Sequence, residues 1–129
     1  MANSEALTRG IRITVESEYV PEQSDPQNQF YFFAYHIHIS NEGAETVQLL
    51  NRHWIITDAD GNVEEVKGPG VIGEQPILEP GDTHRYSSCC PLKTPMGSMK
   101  GSYDMILENG EHFNAEVAEF SLEPQYTLH

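Results

Sequence analysis

Apolar and polar residues alternate one by one along much of this chain, and this pattern constrains the fold more than any other feature. In the segment QFYFFAYHIHIS (29–40), one face of a strand carries Tyr31, Phe33, Tyr35, Ile37 and Ile39. A period of two is typical of a β-strand with one buried face, and β-branched and aromatic residues favour strands. We therefore expect this odd-numbered face to lie in the core. Residues 11–16 alternate in the same way and predict a second half-buried strand.

Turn signals separate the alternating segments at short intervals. Asp-Gly in DADGN (58–62) and Asn-Gly in ENGE (108–111) are typical of β-hairpins, and Pro-Gly in EPGD (79–82) predicts a further turn. No segment shows the continuous apolar face of an amphipathic helix. About seven or eight short strands with regular turns predict an all-β fold. The expected architecture is an immunoglobulin or fibronectin type III-like antiparallel β-sandwich, with a β-barrel as the alternative.

Length and charge narrow the class of protein. The 129 residues are expected to form a single domain, 1–129, with its core over about 10–128 and a short flexible segment before it. The polar start of the chain lacks the pattern of a signal peptide, which predicts a cytoplasmic protein without membrane insertion. With 20 acidic against 7 basic residues, the net charge is −13, which argues against nucleic acid as a partner and favours cations or basic proteins.

The segment GPGVIG (68–73) matches G-x-G-x-x-G, a pattern that binds pyrophosphate when a helix begins at the glycines. Pro76 and Pro80 follow too soon for that helix. The favoured interpretation is a tight connection between strands, in which the glycines adopt backbone angles closed to other residues. The alternative is a pyrophosphate or nucleotide polyphosphate site formed by Lys67, Gly68, Gly70 and Gly73.

Two histidines form the only spacing that suggests a metal. His36 and His38 are two apart in a predicted strand and share a face, which suits imidazole coordination of a transition metal such as cobalt or nickel. Weak binding of Co²⁺ or Mg²⁺ by the protein therefore stays open. A tight site needs three or four ligands, so two polar residues on a solvated face are the favoured interpretation. If three of the side chains of His36, His38, His53 and His84 met at one point, a metal site would become the favoured interpretation. Trp54, the only tryptophan, is expected to anchor the core.

Several ordered segments carry a family resemblance. They are RHWIITDADG (52–61), GPGVIGEQP (68–76), TPMGSMKGSYDM (94–105) and HFNAEVAEFSL (112–122). Together they resemble the ApaG family. The resemblance implies a fibronectin type III-like sandwich in a bacterial cytosolic protein associated with cobalt and magnesium efflux. It also implies a module for binding partners, because a similar domain is fused to F-box proteins in eukaryotes. Cys89 departs from the family pattern, which has glycine after Y-[ST]-S.

The residues and the resemblance together predict function by binding. No convergent set of nucleophile, base and acid stands out, so we expect a non-enzymatic regulatory module that needs no cofactor. Its expected partner is another protein. If no other part of the protein covers the apolar side chains of Phe30 and Phe32, they mark the surface that binds this partner. Exposed edge strands leave a homodimer open. The alternative function is binding of a polyphosphate or a divalent metal, as described above.

Overall fold

Nine β-strands account for most of the chain in the computed structural model, which describes residues 3–124. They are β1 (Ser4–Thr8), β2 (Ile11–Tyr19), β3 (Tyr31–Asn41), β4 (Val47–Asp58), β5 (Val63–Pro69), β6 (Ile77–Leu78), β7 (Thr83–Leu92), β8 (Gly97–Leu107) and β9 (His112–Leu122). Two single-turn 3-10 helices, Pro21–Gln23 and Pro26–Asn28, lie between β2 and β3. No helix within the described part of the chain is long and apolar enough to cross a membrane.

The strands form two sheets in which every neighbouring pair is antiparallel. The first sheet has the order β1-β2-β3-β7, and the second has the order β5-β4-β8-β9, with β6 paired to the start of β4. The prediction of an all-β antiparallel sandwich is therefore confirmed. The number of strands exceeds the predicted seven or eight because β1 and the two-residue β6 were not expected.

The core lies between the inner faces of the two sheets. Ile37 and Ile39 have no exposed surface, and the odd-numbered face of β3 is buried as predicted. Full burial of such a side chain contributes roughly 1.5–3 kcal/mol. Trp54 makes edge contacts with the rings of Tyr103 and Phe120, with centroids 6.0 and 6.1 Å apart, so its prediction as a core anchor is also confirmed.

The chain before residue 10 differs from the flexible segment that was expected. Ser4–Thr8 forms β1, an edge strand paired with β2 over Ile11–Val15. Gly10 closes this hairpin at φ +83°, and a Cβ atom there would lie 2.6 Å from the Cα atom of Gly43. The segment itself carries few strongly apolar residues, so its pairing depends on β2 and β9 rather than on local preference. Residues 125–128 of the predicted core lie outside the described residues.

The two long sides of the sandwich differ. On one side β1 and β2 pack against β9, and the backbone N–H of Glu116 donates to Thr8 Oγ1 at 3.2 Å. On the other side the edge strands are β5 and β7, and two cavities lie between the sheets there. We call this side the open seam, defined by β5, β7 and the loop 70–76 that follows β5.

Candidate functional site

A β-bulge in β4 turns Arg52 toward the space between the sheets. The register of β4 against β8 shifts between Leu49 and Asn51. Strict alternation from the buried Leu49 would place odd-numbered residues inside, but the extra residue switches the inner face to Arg52 and Trp54. Arg52 therefore lies at the open seam, next to the buried ring of Trp54.

The guanidinium of Arg52 is held by backbone and not by a carboxylate. Its Nη1 donates to the carbonyl oxygens of Pro69 at 2.9 Å and Gly70 at 3.0 Å. Within residues 3–124, no carboxylate forms an ion pair with it. Gly68 faces it across the strand pair, and a Cβ atom at Gly68 would lie only 3.0–3.1 Å from three guanidinium atoms. The missing side chain of Gly68 thus leaves room for the cation.

Arg52 borders a small cavity of about 170 Å³ at the open seam. The other lining residues are Tyr35, Trp54, Val71, Ile72, Gly73, Tyr86 and Ser88. Behind the cavity, the hydroxyls of Tyr86 and Tyr103 are hydrogen-bonded to each other. Burial raises the pKa of Tyr35, Tyr86 and Tyr103, and the nearby charge of Arg52 acts in the opposite direction on all three. These hydroxyls remain neutral at pH 7 and can donate hydrogen bonds.

A second cavity of about 400 Å³ continues the open seam toward the other end of β5. Its lining residues are Ile56, Asp58, Asn62, Val63, Glu64, Pro91, Leu92 and Lys93. Asp58 accepts hydrogen bonds from the backbone N–H groups of Asp60 and Asn62 through Oδ1, so DADGN forms the predicted turn.

Cys90 lies on the inner face of β7. Burial raises the pKa of its thiol to about 12, and the nearby charges of Glu64 and Cys89 act in the same direction.

The GPGVIG loop uses its backbone groups within the protein. The N–H of Gly70 donates to Leu50 O at 2.8 Å, and Val71 and Glu74 exchange two backbone hydrogen bonds. Gly70 adopts φ +62°, and a Cβ atom there would lie 2.4 Å from Glu74 O. These contacts agree with the favoured interpretation of a tight connection. Gly70 and Gly73 adopt the positive φ that this interpretation predicted, but the same prediction is wrong for Gly68, which continues β5. The amides of Gly70 and Val71 are engaged already, and pyrophosphate binding by this loop stays a prediction.

The predicted site residues do not all lie together. Lys67 is paired with His53, on the face of β5 opposite to Gly68 and Arg52. It borders a shallow depression of about 450 Å³ on the outer surface, which Gly68 and Arg52 also line, next to the His53–Glu65 contact at 2.7 Å. Gly73, at φ +75°, does line the small cavity beside Arg52.

The two candidate metal ligands lie on the outer face of β3. His36 contacts Ser87 Oγ at 2.6 Å through Nδ1 and Glu18 Oε1 at 3.4 Å through Nε2. In the described part of the chain, no three His, Cys, Asp or Glu side chains are grouped to hold a metal ion. His84 lies elsewhere, 3.6 Å from Glu74, so the convergence that would favour a metal site is not found among these residues. Metal binding by His36 and His38 stays a prediction.

Phe30 and Phe32 form a small apolar surface. Phe30 is 40% exposed, Phe32 is half-buried, and their rings stack with centroids 6.2 Å apart. Larger exposed fractions occur at the open seam, where Val63 reaches 64% and Ile72 reaches 63%. Sequence reasoning did not single out Arg52, Val63 or Ile72 as site residues. The prediction of Trp54 as a core anchor is the signal that could have placed Arg52, because residues two apart in a strand share a face.

The chain is thus a small all-β sandwich with a cation, Arg52, at an open edge between its sheets. The family model described as ApaG domain matches residues 21–107. The chain therefore belongs to the ApaG family, as the sequence resemblance predicted.

Named relatives and a solved structure agree with this assignment. Protein ApaG of Beijerinckia indica is 53% identical over 121 residues, which cover 94% of this chain and 93% of the relative. Protein ApaG of Sinorhizobium fredii is 56% identical over 118 residues, covering 92% and 91%. The crystal structure of a Bordetella pertussis protein named ApaA superposes with a TM-score of 0.88 at 46% identity, covering 98% of this chain and 100% of that one.

Proposed function

We propose that this chain is a non-enzymatic binding module of the cytoplasm that holds an extended segment of a partner protein in the open seam. The observation that carries the proposal is the asymmetry of the sandwich. β1 and β2 pack against β9 on one side, whereas cavities of about 170 and 400 Å³ separate the sheets between β5 and β7 on the other. A segment lying there would reach both cavities at once.

Edge strands supply a physical reason for this mode of binding. The outer edges of β5 and β7 carry backbone N–H and C=O groups that no neighbouring strand of their own sheet pairs. An extended segment that adds to such an edge gains main-chain hydrogen bonds, and pockets for alternate side chains give specificity. The two cavities of the open seam are suited to that second role.

Exposed apolar side chains mark both ends of the open seam. Val63 lies beside the larger cavity and Ile72 beside the smaller one. Ile72 also adopts φ +46°, which is rare for a β-branched residue and costs on the order of 1–3 kcal/mol. Such strain is common where a loop contacts a ligand, so it supports a role for Ile72 in contact with the partner.

The association with cobalt and magnesium efflux that the family resemblance implies fits the same proposal. In our account, this chain acts on that process through a protein partner and needs no metal of its own. The separate surroundings of His36 and His84 support this view, since His36 contacts Ser87 and Glu18 and His84 lies beside Glu74.

Site-directed photocrosslinking in cells tests the proposal. A photoreactive phenylalanine analogue is placed at Val63 or at Ile72, and in a matched control at Leu7, which is 54% exposed on the opposite edge strand β1. We expect the two seam positions to give the same discrete protein adduct and Leu7 to give none of it. The partner segment is then identified by mass spectrometry of the adduct.

A second variant ties the adduct to the cavity. Ser88→Trp fills the small cavity from the inner face of β7 and is expected to abolish crosslinking from Ile72. An adduct that forms equally well from Leu7, or that persists in a folded Ser88→Trp variant, would show that the partner binds elsewhere.

A further inference from the structure

We infer that Arg52 is the anion-recognition residue of the open seam and binds a carboxylate group of the partner segment. This inference rests on the proposed function and adds the chemistry of the ligand. It differs from the polyphosphate alternative considered for GPGVIG, because the recognising group is a side chain of β4 and the loop contributes carbonyl oxygens instead of amides.

Arg52 has N–H donors that no group within residues 3–124 accepts. A guanidinium carries five N–H donors and stays charged at any pH that a protein tolerates. Arg52 uses Nη1 for the carbonyls of Pro69 and Gly70, and no group of residues 3–124 accepts from its Nε or Nη2. Arg52 is half-buried and lines the small cavity, where an acceptor would satisfy donors that the protein leaves open.

Arg9 and Arg12 are paired with carboxylates of the chain, whereas Arg52 and Arg85 form no ion pair within residues 3–124, and of these two only Arg52 is half-buried. Arg12 is engaged by the carboxylates of Glu5 and Glu42 at 2.6 and 2.7 Å, and Arg9 by Glu111 at 2.9 Å. Carboxylates greatly outnumber basic residues in this protein, with 20 against 7. Arg52 nevertheless meets only backbone oxygens, which leaves its charge available for a carboxylate from outside.

The size and lining of the small cavity suit a single carboxylate group. The cavity of about 170 Å³ is well below the roughly 300–1,000 Å³ of typical small-molecule sites, so it has room for one acidic side chain or chain end but not for a nucleotide. Trp54 and Val71 offer apolar contact for a methylene stem. Ser88, whose hydroxyl interacts with Tyr35, adds a second polar group near the cation.

Arg52 is also held in place before any ligand arrives. Its two bonds to the loop carbonyls and its close contact with Gly68 fix the plane of the guanidinium. A planar guanidinium recognises a carboxylate through two parallel hydrogen bonds, and a fixed orientation reduces the entropy lost on binding. The loop carbonyls therefore serve to orient the cation.

The first experiment measures binding of acetate, with acetamide as the neutral probe of similar size. NMR follows the Nε–H signal of Arg52 and the indole N–H signal of Trp54, the only tryptophan, at constant ionic strength. We expect saturable shifts with acetate, none with acetamide, and loss of the response in Arg52→Met. Arg85→Gln removes an exposed cation from the outer face of β7 and should leave the response intact.

If Arg52→Met unfolds the loop, Gly68→Ala is the second variant that tests the inference. Gly68 has no positive φ, and the three atoms nearest to the added methyl all belong to the guanidinium, at 3.0–3.1 Å, so the methyl displaces it without removing its charge. We expect acetate to bind several-fold more weakly to this variant, while the dispersion of the Trp54 signal stays native. Equal shifts from acetate and acetamide, or an unchanged response in Arg52→Met, would overturn the inference.

The second experiment identifies the source of the carboxylate in the crosslinked partner segment. Synthetic versions of the segment replace each Asp or Glu by its amide in turn, and one version carries an amidated C-terminus. One change should weaken binding about tenfold or more, and the same change should have no effect on Arg52→Met. If the segment still crosslinks in the open seam but no carboxylate couples to Arg52, the inference is wrong and the proposed function stands. If the segment crosslinks outside the seam, the proposed function itself is wrong.

Discussion

At the scale of single residues, Gly101 controls how closely β4 and β8 approach each other. A Cβ atom there would lie 2.0 Å from the carbonyl oxygen of His53 and 3.0 Å from the ring of Trp54. We predict that Gly101→Ala destabilises the fold by about 2 kcal/mol or more, because the strand pair has to separate at the core anchor. Urea denaturation, followed by the fluorescence of Trp54, measures the change in the free energy of unfolding.

Ser102→Ala is the matched control for this prediction. Ser102 is the next residue of β8, is partly exposed, and lies on the outer face opposite His53. Its substitution should change stability by no more than about 0.5 kcal/mol. Equal midpoints for Gly101→Ala and wild type would show that β4 and β8 can separate without loss, contrary to this description of the core.

The candidate glycines show what sequence can predict of a single residue. Their role as turn and close-contact positions was predictable from the lack of a following helix, and Gly70 at φ +62° agrees with it. The identity of the group that Gly68 accommodates was not predictable, because the guanidinium of Arg52 arrives from another strand. Lys67 is close to these glycines in sequence but faces the other way, since neighbouring residues of a strand point to opposite faces.

At the scale of elements, β4 shows how much one bulge decides. Apolar residues of this strand occur at both parities, with Leu49 beside Leu50 and Ile55 beside Ile56, so alternation alone does not locate the bulge. The prediction of Trp54 as a core anchor does place Arg52, two residues before it, on the inner face. The strand could be predicted from its composition, whereas the site required the placement of Trp54.

The contact between β2 and the segment after β3 gives a pH-dependent prediction. Glu42 accepts two hydrogen bonds from Arg12, at 2.7 and 3.1 Å, and these bonds hold the pKa of Glu42 below its ordinary value of 4.5. A lowered pKa in the folded state stabilises the fold above the ordinary value, and this stabilisation is lost as the pH falls through the lower folded pKa. We therefore predict that Glu42→Gln lowers the unfolding temperature at pH 7, and that its difference from wild type disappears in acid.

Glu79→Gln is the control for the pH series, because the carboxylate of Glu79 makes no ion pair with any of residues 3–124. The unfolding temperature of Glu79→Gln should equal that of wild type at every pH. If the unfolding temperature of Glu42→Gln lay below that of wild type by the same amount from pH 7 to pH 3, the substitution would act through packing, and the charge of Glu42 would contribute nothing to stability.

At the scale of the whole molecule, the architecture was largely predictable and the binding surface was not. Alternation in β2 and β3 and the hairpin turns are local signals, so the all-β sandwich followed from sequence. β1 was missed because its residues alternate only weakly and are ordered by the neighbouring strands. The open seam depends on which edge strands close the sandwich, and that long-range property has no local signature.

Amide hydrogen exchange on a complex tests whether the open seam is the binding surface. The probe is a peptide selected from a random display library on the folded chain, and exchange is compared for free and saturated protein. Our account predicts slower exchange in β5 (Val63–Pro69), β7 (Thr83–Leu92) and the loop 70–76, with β1 and β9 unchanged. Protection confined to β1 and β9, or to the surface around Phe30 and Phe32, with the seam strands unaffected, would contradict it.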